Sequence, residues 1–90
     1  MSALPSSLPV VIGRLTKNRR EAVVVTLKEF EGVRLVDLRI YAATPEGDKP
    51  TPKGLALDLR RLPALREALD RAESQARRLG LLPTEEAADV

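Results

Sequence analysis

Arg34-Leu35-Val36-Asp37-Leu38-Arg39-Ile40-Tyr41 is the stretch on which the fold turns. Side chains along an extended strand alternate between two faces. Val36, Leu38 and Ile40 therefore share one face, and Asp37, Arg39 and Tyr41 share the other. Such a strand belongs to a sheet with an apolar face to cover and a polar face to show water or a ligand. Just upstream, Ala22-Val23-Val24-Val25-Thr26-Leu27 is equally β-prone. The same period turns Val23, Val25 and Leu27 inward and Thr26, Lys28 and, if the strand runs on, Phe30 outward. Glu31-Gly32 supplies the turn between the two strands. The outward set is cationic, aromatic and hydroxylic, which makes it a surface for binding.

Val10-Val11-Ile12, continuing through Gly13 to Leu15, reads as a further strand, separated from the second by the polar turn Thr16–Glu21. Thr44 to Pro52 holds three prolines and a glycine, a composition barred from a sheet interior, and reads as a connecting loop. Gly54-Leu55-Ala56-Leu57 gives a fourth strand, with Leu55 and Leu57 expected in the core. From Asp58 the period changes to that of a helix. Leu62, Leu65, Leu69, Ala72, Ala76 and Leu79 recur at spacings of three and four, one stripe of a helix. Asp58 is a candidate N-cap, Pro63 fits a first turn, and Gly80 is a natural stop.

The expected architecture is α+β: a four-stranded antiparallel sheet followed by one C-terminal helix, ββββα. The small side chains of Ala72 and Ala76 allow another helix to approach closely, and the stripe is longer than short strands need. Homodimerisation through Leu62, Leu65, Leu69, Ala72, Ala76 and Leu79 is the expected solution for so small a domain. The alternative is that the stripe packs within its own chain. Residues 1–9 read as a flexible arm, 10–80 as the single domain, and 81–90 as an acidic, disordered tail.

Ninety residues permit one domain, and the absence of Cys and His removes disulfides, thiol nucleophiles and the commonest metal ligand. There is no Gly-x-x-x-x-Gly-Lys phosphate loop and no Gly-x-Gly-x-x-Gly. Glu67, Asp70 and Glu73 fall among Arg66, Arg71 and Arg77, which reads as an ion-paired solvent face and not a catalytic set. The expectation is therefore a binding protein: no enzyme, no cofactor, no metal and no small-molecule substrate. No signal sequence or membrane span is legible, so the cytoplasm, with the nucleoid, is the expected place. The 15 cations and 13 anions are unevenly spread, since the last ten residues hold three acids and no base. Between Gly13 and Arg20 lie Arg14, Lys17, Arg19 and Arg20 with no anion, as expected of a phosphate-binding surface. A solvated arginine-rich turn would look the same.

The stretch Ile12–Leu69 resembles the transcriptional positive cofactor four family, the p15-type coactivators that bind single-stranded DNA. Four segments carry the resemblance in order: Ile12-Gly13-Arg14-Leu15 with Lys17-Asn18-Arg19-Arg20, Val25 to Gly32, Leu35 to Tyr41, and Pro45-Glu46-Gly47 with Pro52 to Leu57. The resemblance implies a curved ββββα fold that dimerises through its helix. It also implies contacts to single strands from Arg20, Lys28, Phe30, Arg39 and Lys53, with Tyr41 beside Arg39 and with Lys17 and Arg19 in the basic turn. Three positions depart from the pattern. Ala42 replaces a second aromatic, Glu31 replaces a cation, and Pro52 replaces a residue that is often basic. With stacking at about 1–3 kcal/mol per base, these losses predict weaker binding than typical members show. Met1 to Pro9, with three serines and no Lys, does not resemble the long Ser- and Lys-rich arm of eukaryotic members, so coactivation with a eukaryotic machinery is not expected.

The expected activity is sequence-nonspecific binding of single-stranded DNA by a homodimer, in transcription regulation or DNA maintenance. Lys28, Arg39, Lys53 and the basic turn would neutralise phosphates while Phe30 and Tyr41 meet base faces. RNA or melted duplex are alternative ligands, and a dimeric protein-interaction adaptor is the alternative class. Each site residue also has an ordinary reading: Phe30 or Tyr41 capping the core, and Arg39 pairing with Asp37.

Overall fold

The computed structural model describes residues 8–83, so most of the expected arm and tail lie outside the described residues. Four antiparallel strands, β1 (Val10–Thr16), β2 (Glu21–Phe30), β3 (Val33–Thr44) and β4 (Gly47–Asp58), form an open curved sheet in sequence order. A 3₁₀ turn (Leu59–Arg61) and one helix, α1 (Leu62–Arg78), follow. The expected α+β class and ββββα order are what the chain adopts. Two compact units divide at Arg60/Arg61, one holding the sheet and the other the helix.

Register in the central pair bears out the alternation. Val23 lies opposite Ile40, Val25 opposite Leu38 and Leu27 opposite Val36, so the β-branched and leucine side chains share a face. Ala22 opposite Tyr41, Val24 opposite Arg39 and Thr26 opposite Asp37 share the other. The β2–β3 hairpin closes through Glu31 and Gly32, with φ of 52° and 83°. Positive φ at both central residues matches the right-handed twist of the flanking strands, and Gly32 adopts it at no steric cost.

Burial does not follow the expected inside and outside. Ala22, Val24, Thr26 and Asp37, all on the polar face, are buried, whereas on the apolar face only Val36 is. Val23, Val25, Leu27, Leu38 and Ile40 are half-buried, and Leu55, expected in the core, is exposed. Curvature explains the polar side. Arg14 on β1 pairs in register with Val24, and Asp48 on β4 pairs with Ala43, so both stand on the polar face. These strands are the two edges of the sheet, and the two register positions are offset along β3, from Arg39 to Ala43. In a flat sheet the two backbones would lie about 20 Å apart, beyond the reach of both side chains together. Yet the Arg14 guanidinium meets the Asp48 carboxylate at 2.6 Å. The polar face is therefore concave, and its floor at Ala22 and Val24 is shielded by its own walls.

The segment expected as a loop is largely strand. β3 runs on to Thr44, Pro45-Glu46 make the turn, and β4 starts at Gly47. Proline is tolerated because β4 is an edge strand, needing ladder bonds on one side only. The ladder also breaks there. Arg39 faces Gly54 and Tyr41 faces Pro50, so Thr51, Pro52 and Lys53 bulge opposite Ile40 alone. The Thr51 hydroxyl donates to the Ile40 carbonyl at 2.8 Å and keeps the bulge against β3.

Asp58 does not cap α1. The N-cap is Arg61, without a side-chain bond, and Asp58 instead accepts the Arg60 amide at 2.9 Å, closing the turn before the helix. Pro63 sits in the first turn as expected. At the C-terminus, Gly80 donates to the Arg77 carbonyl and Leu81 to the Ala76 carbonyl, a Schellman stop. Glu73–Arg77 at 2.6 Å, Glu67–Arg71 at 3.7 Å and Arg66–Asp70 at 4.0 Å make the expected ion-paired face. No residue of α1 is buried, and Leu69 in the apolar stripe is 57% exposed.

Gly54 in β4 and Gly32 in the β2–β3 turn, both with positive φ, should respond differently to substitution. Gly54 has φ of 147°, and a Cβ there would collide with the Leu38 carbonyl and come within 2.9 Å of the Arg39 Cα. Gly32 has open space around it. Gly54→Ala is expected to lower unfolding free energy by about 2–3 kcal/mol, and Gly32→Ala by about 1 kcal/mol. Urea denaturation of the two variants checks the order; equal losses would contradict the close approach of β4 to β3.

Candidate nucleic-acid interface

The polar face is organised around Asp37. Its carboxylate is buried and receives two bonds from Arg39, Nη2 to Oδ1 at 2.7 Å and Nε to Oδ2 at 3.3 Å. Lys28 approaches the same carboxylate at 3.9 Å. A buried carboxylate without partners would be costly, so these two cations are held in place by the anion's need for them. Arg39 spends its remaining reach on β4, donating from Nη1 to the carbonyls of Pro52 at 3.1 Å and Thr51 at 3.4 Å. Bonding to Asp37 raises the Arg39 pKa above the usual arginine range, with burial opposing. The ordinary reading of Arg39, a partner for Asp37, is thus part of its role. Its guanidinium ties β3 to the bulge that carries Lys53.

Phe30 ends β2 on the same face as Lys28 and is 61% exposed. It does not cap the core; its ring is open to a planar partner. Tyr41 is half-buried, two residues along β3 from Arg39 and opposite Ala22. Lys53 is exposed at the bulge, its amide donating to the Thr51 hydroxyl at 3.2 Å. Lys28, Phe30, Arg39 and Tyr41 are therefore brought onto one face, with Lys53 at its β4 margin.

The basic turn is built on Asn18. Its side-chain oxygen accepts the amides of Arg20 at 3.0 Å and Glu21 at 2.9 Å, and its amide nitrogen donates to Glu21 at 2.9 Å. Lys17 pairs with Glu21 at 3.0 Å, so its charge is partly compensated. Arg19 and Arg20 are exposed and make no ion pair among the described residues. With Asn18, Glu21, Ala42 and Ala43 they line an open groove of about 820 Å³. Ala42, where the resemblance leads one to expect an aromatic, is thus a low wall of that groove. Two residues on the concave face fell outside the expected site: Arg14, legible as part of the basic cluster, and Asp48, whose part depends on a pairing across 34 positions that no local pattern reveals.

A curved antiparallel sheet with cations and an exposed ring on one face, followed by a single helix, is the layout of a nucleic-acid-binding module. A family model described as Transcriptional Coactivator p15 (PC4) matches residues 15–68, well over half of the chain, and the chain belongs to that family. The family is one of non-enzymatic, DNA-binding coactivators. Neither the curated proteins nor the solved structures hold a significant match.

The turn carries a pH signature. The hydrogen bond from Asn18, then the bond and charge of Lys17, hold the Glu21 pKa below the usual glutamate range. A carboxylate with a depressed folded pKa contributes stability above its unfolded pKa and loses it as pH falls through the folded value. Carboxyl NMR titration should find Glu21 titrating below the usual glutamate range. Asn18→Ala should move Glu21 back up towards the ordinary value; no movement would contradict the Asn18 geometry.

Proposed function

We propose that the protein binds single-stranded DNA without sequence preference, as a homodimer, in regulating transcription or maintaining DNA in the cytoplasm. The observation that carries this reading is the grouping of Lys28, Arg39, Tyr41 and the exposed Phe30 on the concave face of two adjacent strands. Phosphates meet Lys28, Lys53, Arg19 and Arg20, while a base stacks on Phe30. Arg39 contributes charge from a fixed position and keeps the bulge where Lys53 can reach the backbone. Such contacts read charge and ring faces, which every base offers alike. Duplex hides base faces from Phe30 and should bind less tightly.

Dimerisation is supported by apolar surface that the single chain leaves in water. The helical stripe includes Leu69 and Leu79, both exposed, and Leu55 on the sheet is exposed too. A domain of this size buries too little of its own surface to leave such groups uncovered. Leu62, Leu65, Leu69, Ala72, Ala76 and Leu79 are the proposed contact set.

Competition of a 20-nucleotide oligo-dT, its duplex counterpart and oligo-U for the purified protein tests the ligand. Oligo-dT should win over duplex; preference for duplex would overturn the reading, and preference for oligo-U would reassign it to RNA. Phe30→Ala should weaken oligo-dT binding by about 1–3 kcal/mol. Lys53→Ala should make the log–log dependence of affinity on salt shallower by about 0.7 while leaving thermal unfolding unchanged. Sedimentation equilibrium should return a dimer for the parent chain and a monomer for Leu69→Glu; a monomeric parent would refute the helical interface.

A further inference from the structure

We propose that the Arg14–Asp48 ion pair is an exchangeable clasp across the concave face, opened when a phosphate displaces Asp48 from Arg14. This inference rests on the single-strand reading above and adds to it one contact residue, Arg14, and one internal competitor, Asp48.

Geometry sets up the exchange. Arg14 lies in register with Val24, and Asp48 with Ala43, on the same face and on opposite edges of the sheet. Tyr41 and its partner Ala22 lie between those two register positions. The 2.6 Å bond from Arg14 Nη1 to Asp48 Oδ2 therefore crosses the floor of the concavity, through space that a strand lying along β2 and β3 must enter.

Chemistry sets its direction. The Arg14 side chain is 55% exposed and that of Asp48 is 35% exposed, so water and salt screen the pair and it contributes little to stability. Asp37, on the central strand β3, is buried and already engaged by both Arg39 and Lys28. Asp48 has only Arg14 as an ion-pair partner among the described residues. A carboxylate left on a face that takes a polyanion opposes binding through its charge and through the cation it occupies. A phosphate offers Arg14 an anionic oxygen as Asp48 does, and can add a second, with neighbouring phosphates held by the other cations. Displacing Asp48 thus costs little, and Arg14 is kept oriented until the nucleic acid arrives.

Removing the competitor should tighten binding. Asp48→Asn is expected to bind 20-nucleotide oligo-dT about two- to fivefold more tightly at low salt, the range set by an exposed ion pair. That gain should shrink as salt rises. Glu46→Gln removes the same charge from the adjacent turn, where Glu46 faces Thr44 and not Arg14. It should give a smaller gain. Arg14→Gln should weaken binding, lower the salt slope by about 0.7, and reduce the advantage of Asp48→Asn to that of Glu46→Gln when the two are combined. An Asp48→Asn affinity equal to that of the parent, a gain matched by Glu46→Gln, or a gain that survives undiminished in the Arg14→Gln background would each overturn the clasp while leaving the single-strand reading intact. Failure of the parent chain to bind oligo-dT at all would overturn that reading, and the clasp with it.

Discussion

One buried carboxylate organises the polar face. Asp37 cannot sit beneath the surface unpaired, so Lys28 from β2 and Arg39 from β3 converge on it. Arg39, held at one end by that bond, has its remaining donors aimed at the Thr51 and Pro52 carbonyls of β4. The bulge that presents Lys53 is thus tied, through one guanidinium, to the same anion. Gly54 completes the arrangement, because any side chain there would push β4 away from Leu38 and Arg39. A single negative charge therefore sets the position of a cation in each of three strands.

The same constraint redistributes burial. Polar groups that must be satisfied locally draw the concave side tight, which leaves Ala22 with 1% of its surface in water. The apolar side has no such internal organiser. Its β-branched and leucine side chains stay half-covered, and the helical stripe carries Leu69 and Leu79 in the open. A short chain that shapes one face for a ligand by itself has little left with which to cover the other. The proposed association of two copies would relieve that shortage without changing the concave face.

Strand existence and face assignment were legible because β3 alternates cleanly and because a two-residue Glu31-Gly32 turn fixes the β2–β3 register. The helix was legible from its leucine and alanine spacing, down to Pro63 and Gly80 at its ends. Two features were not. Proline at 50 and 52 argues against strand only where both edges of the backbone must pair, and edge position is a property of the whole sheet. Burial on the polar face depends on curvature, which arises from the bulges at Ile12 and at 51–53 and from contacts between strands remote in sequence. Residue types could name Lys28, Phe30 and Arg39 as candidates. They could not show that Phe30 is open while Arg39 is committed at both ends of its guanidinium.

The proposed binding of a polyanion on a face that must also hold together without one creates a conflict. Cations left alone on a concave surface repel each other, and anions placed among them compete with the ligand. The depth of each carboxylate settles which role it takes. Asp37, with 7% of its side chain exposed, interacts in a less polar medium, where separating it from Arg39 would strand two charges. It is a permanent part of the face. Asp48, with 35% exposed, sits where water readily replaces either partner, so its bond to Arg14 is weak enough to be exchanged. Burial thus sorts two chemically identical groups into a fixed support and a replaceable occupant. Under the proposed single-strand binding, the concave face needs both to be ordered when empty and accessible when occupied.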